Sequence, residues 1–195
     1  MNVFDYYVIY KPFRVLSQFS AVENKSTLAD LFKFPNDIYP VGRLDYDSEG
    51  LLILTNDNFL KNKILDPLNN HQKTYFVQIE GIPNQTHLDQ LKSGVEINVK
   101  GKIIKVDAKS VKIITEPNLP DRNPPIRYRI KVPTSWLSVT ITEGKNHQIR
   151  KMTAKIGFPT LRLVRYSIEN LSINDIKLNE KNSFSKKTIY KLLNL

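Results

Sequence analysis

One short run concentrates the residues of this chain that could do chemistry. Residues 41–57 read Val-Gly-Arg-Leu-Asp-Tyr-Asp-Ser-Glu-Gly-Leu-Leu-Ile-Leu-Thr-Asn-Asp, which sets a charged cluster between two glycines and follows it with an apolar stretch. Asp45 stands two residues after Arg43, with Asp47 and Glu49 close behind. A carboxylate of this kind can act as a nucleophile or a general base if a nearby cation keeps it ionised and oriented. It also has a structural explanation, because acidic turn residues pair with a local arginine or a helix end. Asp47 and Glu49 are assigned that ordinary role of turn and surface acids. Arg150, in Gly144-Lys145-Asn146-His147-Gln148-Ile149-Arg150-Lys151-Met152, is the candidate cation. Tyr75 is the third candidate: an aromatic ring can stack on a base and a phenol can exchange a proton, although a strand tyrosine often faces a core. Other chemistries lack residues. There is no cysteine, and the three histidines (His71, His87 and His147) are scattered, so neither disulfides nor a metal centre is expected. No glycine loop is built to cradle phosphate.

The charge distribution indicates a partner. The net charge is +10. Residues 1–121 hold 14 basic and 15 acidic side chains, whereas residues 122–165 hold 10 basic ones and Glu143 alone, a net of +9. Six of the eight arginines fall in that window. Clustered arginine fits a phosphate-rich partner, and prolines break the window too often for a membrane-lying helix. The window's Arg122, Arg127, Lys145, Lys151, Arg162 and Arg165, together with Arg43, His147 and Gln148, are the expected nucleic-acid-facing set. No apolar run is long enough to span a bilayer and no signal peptide is evident, so a soluble cytoplasmic protein is expected, with monomer as the default.

The elements that must position these groups follow from periodicity. Tyr6 to Tyr10, Phe13 to Phe19, Leu51 to Leu54, Lys73 to Glu80, Trp136 to Thr142 and Leu161 to Ile168 read as strands, with short strands between Val95 and Thr115. Tyr75, Val77 and Ile79 share one face of their strand. Thr27 caps a short helix to Phe32. Asn56 or Asp57 caps one to Leu65, ended by Pro67. Asn84 opens one that stops near Gly94. Asn146 caps a helix from His147 to Ile156, and the tail from Ser185 ends as a helix. On the His147 to Ile156 helix, Ile149, Met152 and Ile156 form the buried stripe, leaving His147, Arg150 and Lys151 on another side. Residues 116–125, with four prolines, form a loop. Strands and helices mix without βαβ alternation, so the class is α+β.

Four motifs in order carry a resemblance: Gly42-Arg43-Leu44-Asp45 with Ser48-Glu49-Gly50-Leu51-Leu52; Lys73-Thr74-Tyr75; Glu143 to Arg150; and Leu161-Arg162-Leu163-Val164-Arg165. Together they resemble the RsuA-like family of RNA pseudouridine synthases over roughly residues 5–170. Arg122-Asn123-Pro124-Pro125-Ile126-Arg127 and Pro133-Thr134-Ser135-Trp136-Leu137 are similar to the members that act on large-subunit (23S) ribosomal RNA. The resemblance implies a mixed, mainly antiparallel sheet in two α+β subdomains with flanking helices. It implies a single catalytic domain over residues 1–195, without the N-terminal S4-type RNA-binding domain of many relatives. It implies Asp45 as the catalytic aspartate, Arg150 as its ion-pair partner and Tyr75 packed on the base. The implied reaction, which needs no cofactor, breaks the N1–C1′ bond of a uridine, turns the base, and joins C5 to the same sugar carbon. Attack on C1′ and proton removal from C2′ both stay open as the role of the carboxylate. The alternative is a non-catalytic RNA-binding or ribosome-assembly protein on this fold, or the same activity at another ribosomal RNA site. One departure concerns a turn, where Asn58 stands in place of the family's frequent glycine.

Overall fold

The computed structural model describes residues 4–126 and 132–195, which divide into two compact units. Residues up to His71 and from Arg165 onward form the first unit, and residues 72–164 form the second. Arg127, one of the expected RNA-facing residues, lies outside the described residues.

The first unit opens with strand β1 (Tyr6–Lys11), followed by the two-residue strands β2 (Val15–Leu16) and β3 (Ser26–Thr27), helix α1 (Leu28–Leu31) and β4 (Tyr39–Pro40). Strand β5 (Glu49–Thr55) and helix α2 (Asn58–Leu65) follow. In chain order the second unit holds β6 (Lys73–Glu80), α3 (Gln85–Ser93), β7 (Val95–Val99), β8 (Lys102–Val106), β9 (Ser110–Ile114), β10 (Thr134–Ile141) and α4 (Gln148–Lys155). Strand β11 (Thr160–Ile168) begins in the second unit and ends in the first, which then adds β12 (Leu171–Ser172), β13 (Asn182–Phe184) and α5 (Lys186–Leu192).

In the first unit the strand order is β13-β1-β5-β11. β1 and β5 run antiparallel, with Tyr6 opposite Thr55 and Lys11 opposite Gly50. All seven residues of β5 are buried, as expected of a continuous apolar run in the middle of a sheet. One side of this unit closes over Ile9, Val15, Leu28, Ile38, Leu52 and Leu54, with Tyr7, Phe19, Leu31, Phe32 and Phe34 packed against them. In the second unit the order is β11-β6-β10-β9, and β7 and β8 make a separate hairpin. Register places Tyr75 opposite Val139, and Tyr75, Val77 and Ile79 form the buried face of β6. The α+β class is the observed one, with mostly antiparallel pairing.

Several local readings need correction. Phe13 to Phe19 contributes only Val15 and Leu16 as strand, because the chain folds back here to meet the loop carrying Asp45. Glu49 is neither a turn nor a surface acid. It begins β5, is 3% exposed, and accepts a hydrogen bond from Tyr10 Oη at 3.1 Å. Asn146 does not cap α4. His147 takes that position with left-handed backbone (φ 50°) and no side-chain cap bond. The Asp57, Asn84 and Ser185 caps are present, and Thr27 forms a capping box with Asp30.

Candidate active site

In the first unit Asp45 lies on the loop between β4 and β5, half-buried, with Leu44 beneath it 6% exposed. Two glycines allow the chain to enter and leave this loop. Gly42 has φ +72° and Gly50 φ +108°, a region L-residues avoid. A Cβ on Gly50 would run into the backbone of Arg165, so β5 and β11 approach each other here as only glycine permits.

Three contacts from the segment after β1 hold the loop. Ser17 Oγ donates to the Leu44 carbonyl at 2.9 Å and accepts from the Leu44 amide at 3.0 Å, so one buried hydroxyl satisfies both backbone groups next to Asp45. The Arg14 amide donates to the Tyr46 carbonyl at 2.8 Å. Within the loop, the Ser48 amide donates to the Asp45 carbonyl at 3.0 Å. Asp45 is thus flanked on both sides by backbone with committed hydrogen bonds, the condition for holding a reactive side chain in one geometry.

The end of β1 supplies a fully buried lysine near the loop. Lys11, 0% exposed, donates through Nζ to the carbonyls of Pro12 at 2.9 Å and Val15 at 2.7 Å. Burial pulls its ammonium down to about 7, against the pull of Glu49, Asp47 and Asp45 and with the added repulsion of Arg165. Lys11 therefore lies within electrostatic range of Asp45. Arg165, 4% exposed, donates from Nε to the Leu51 carbonyl at 2.8 Å, while its Nη2 has no hydrogen-bond partner among the described residues. Arg43 is exposed.

The second unit supplies Tyr75 and Arg150. Tyr75 is 8% exposed on β6. Arg150 is half-buried on α4 and reaches the Thr160 carbonyl through Nη1 at 3.5 Å. The turn before α4 is organised by Gln148, 3% exposed, which accepts from the Lys145 amide at 2.9 Å and donates to Glu143 at 3.0 Å. Lys145 Nζ lies 3.6 Å from Glu143, and Lys151 Nζ lies 3.4 Å from Asn146 Oδ1. An open groove of about 440 Å³ between α4 and the β7–β8 hairpin is lined in part by Lys151 and Lys155. Arg162, 9% exposed, donates to the Pro120 carbonyl at 2.6 Å, and Arg122 Nε to the Pro124 carbonyl at 2.9 Å. These two arginines thus fasten the proline-rich loop, and the donors described here are used on protein carbonyls.

The structure groups Asp45 with Arg43, Lys11 and Arg165 in the first unit, and Tyr75 with Arg150, His147, Gln148 and Lys151 in the second. Sequence reasoning missed Ser17, Lys11 and the Tyr10–Glu49 pair. A lysine at the end of an apolar strand and directly before proline was the one available signal for Lys11. Nothing local distinguishes Ser17 from any loop serine.

A carboxylate on a clamped loop, with arginine-rich segments in the same chain, suits chemistry on a nucleic acid. The family model for RNA pseudouridylate synthases matches residues 5–155, and the chain belongs to that family of isomerases. It is 48% identical over 170 residues to the ribosomal large subunit pseudouridine synthase E of Vibrio vulnificus (strain CMCP6), covering 87% of this chain and 70% of that one. The synthase E of Xanthomonas axonopodis pv. citri (strain 306) is also 48% identical, over 160 residues, with 81% and 82% covered. A crystal structure of a pseudouridylate synthase superposes with a TM-score of 0.75 at 22% identity, covering 98% of this chain and 75% of that one, which establishes the fold.

Proposed function

We propose that this chain isomerises a uridine of large-subunit (23S) ribosomal RNA to pseudouridine in the cytoplasm, with Asp45 as the reacting carboxylate. The choice of substrate is supported by the likeness to the two synthase E proteins. The choice of Asp45 rests on one observation: its loop is anchored from both sides, by Ser17 at Leu44 and by Arg14 at Tyr46. In this reading the N1–C1′ bond breaks, the freed base turns, and C5 bonds to C1′. The C5 proton is then lost and N1, freed from the sugar, gains one, so the product is an isomer and no cofactor enters. Arg150 is the proposed cationic partner of Asp45, by the family resemblance. Tyr75 packs on the turned base. The uridine must leave its stack, at a cost of a few kcal/mol, and phosphate contacts offset that cost. Arg43, Lys145, His147 and Lys151 are the proposed contributors.

Two experiments test this. Pseudouridine mapping in ribosomal RNA from cells lacking the protein should show loss of one large-subunit site, restored by the wild-type gene and not by Asp45→Asn. In a tritium-release assay on unmodified large-subunit RNA, Asp45→Asn should fall to the uncatalysed background. Wild-type turnover in that variant would exclude Asp45 from the chemistry.

A further inference from the structure

Helices α2 and α5 meet in the first unit at the Phe59–Tyr190 ring pair, and Tyr190 also donates to Asp57, the cap of α2; this junction lies outside the arginine-rich window. Neither α2 (Asn58–Leu65) nor residues 181–195 contain a single Asp or Glu. Between them the two helices carry Lys61, Lys63, Lys186, Lys187 and Lys191, and all but Lys61 are exposed. The carboxylate nearest the junction is Asp57, which is 2% exposed. It already accepts from Tyr6 Oη at 2.7 Å, Tyr190 Oη at 2.6 Å and the amides of Phe59 and Leu60. It is therefore withheld from neutralising the lysines. Asp66, at the far end of α2, accepts from the Leu68 amide.

The surface is also aromatic. Phe59 and Tyr190 stack almost parallel, 6.5 Å between centroids and 7° between planes, and Phe59 is 58% exposed. Lys63 Nζ lies 5.6 Å from the Phe59 centroid and Lys186 Nζ 5.0 Å from that of Tyr190. On the same helix α2, Lys61 stands 5.7 Å from the ring of Tyr39, itself 55% exposed. Monomeric proteins gain little from leaving large planar rings in water beside unneutralised lysines. A single-stranded nucleic acid matches both features, because its bases extend an aromatic stack and its phosphates pair with the ammonium groups.

We propose that the α2–α5 face is a second RNA-docking surface, which binds an unpaired strand of the substrate ribosomal RNA through base stacking on Phe59 and phosphate contacts to Lys63, Lys187 and Lys191. This rests on the proposed action on ribosomal RNA, and it adds a binding role to a part of the chain outside the catalytic motifs. An acidic protein could satisfy the lysines and offer an occasional ring, whereas a single strand presents a planar base and a phosphate at every nucleotide, matching the Phe59–Tyr190 stack and its surrounding lysines together.

The test uses the intact chain and unmodified large-subunit ribosomal RNA. The triple variant Lys63→Gln, Lys187→Gln, Lys191→Gln should bind at least about tenfold more weakly at low salt. Its log–log salt slope should be shallower by about 2 to 3, since each phosphate contact contributes roughly 0.7 to 0.9. Phe59→Leu should weaken binding about fivefold or more with an unchanged slope, because stacking is worth roughly 1–3 kcal/mol per base. Neither variant should alter kcat at saturating RNA. Wild-type affinity and slope in both variants would overturn the proposal, and that is the result expected if the lysines serve an acidic protein instead. If the triple variant melts at a lower temperature, Lys187→Gln with Lys191→Gln, both exposed on α5, repeats the test with an expected slope change of about 1 to 2. Failure of wild-type protein to form pseudouridine would refute the catalytic reading, whereas the affinity comparison would still decide the surface.

Discussion

Asp45 owes its position to a residue with no chemistry of its own. Ser17 satisfies the amide and the carbonyl of Leu44 with one hydroxyl, inside a site that is 5% exposed at the serine. Its removal leaves two buried backbone groups without that partner, at a cost of about 1–3 kcal/mol each if water does not enter. Ser17→Ala should lower kcat by about 5- to 50-fold through misplacement of Asp45, with KM changed less than about twofold, and Ser17→Thr should recover most of the rate. A raised KM with kcat unchanged would mean the clamp acts on RNA binding instead. Lys11 makes a second residue-scale prediction. Its folded-state value of about 7 lies below the ordinary 10.5, so the unfolded chain holds more proton between those values. Stability should therefore rise with pH from about 7 towards 10.5, with a slope approaching about 1.4 kcal/mol per pH unit. Below 7 the cost of burying a charged Lys11 is fully present. Thermal melts across that range check the sign, and Lys11→Met should flatten this contribution.

At the scale of elements, one polar node fixes how β1, α2 and α5 meet. The Asp57 carboxylate caps α2 and takes the phenols of Tyr6 and Tyr190. Burial alone would raise its pKa, but the hydrogen bonds from Tyr190, Tyr6 and the two α2 amides more than offset this and hold it below the usual value. In return burial and the anionic partner push Tyr190 up to about 12. A depressed carboxylate contributes stability above its unfolded value and loses it as pH falls through its folded one. Asp57→Ala removes a helix cap worth about 0.5–2 kcal/mol and orphans two phenols. The expected loss is at least about 2 kcal/mol in denaturant unfolding, smaller at a pH low enough to protonate the wild-type carboxylate. The same node carries the aromatic stack of the proposed docking face, so Asp57→Ala is unsuited to testing RNA binding there.

For the whole molecule, the excess charge governs association. A chain of net +10 whose excess is concentrated in residues 122–165 should bind ribosomal RNA with an affinity that falls steeply with salt. Between about 50 and 200 mM salt the affinity should drop by a factor of about 10³ if six or more phosphates are neutralised, while kcat at saturation stays constant. A salt-independent affinity would place recognition in base contacts instead.

The amino-acid sequence by itself determined the strand and helix inventory wherever the pattern was strong, as in the continuous apolar run of β5, the alternation of β6 and the capped α3, and its ordered motifs singled out Asp45 as the candidate carboxylate. Short-range patterns suffice there because burial alternates with a local period and caps act within four residues. The sequence also determined where the positive charge concentrates. Tertiary structure decided what each charge faces. Glu49 reads as a surface acid until β1 brings Tyr10 to it, and Arg162 and Arg165 read as phosphate ligands until the fold buries them against Pro120 and Leu51. Ser17 acquires its role from Leu44, 27 residues away. A side chain's solvation depends on residues distant in the chain, and that is the information a local pattern does not carry.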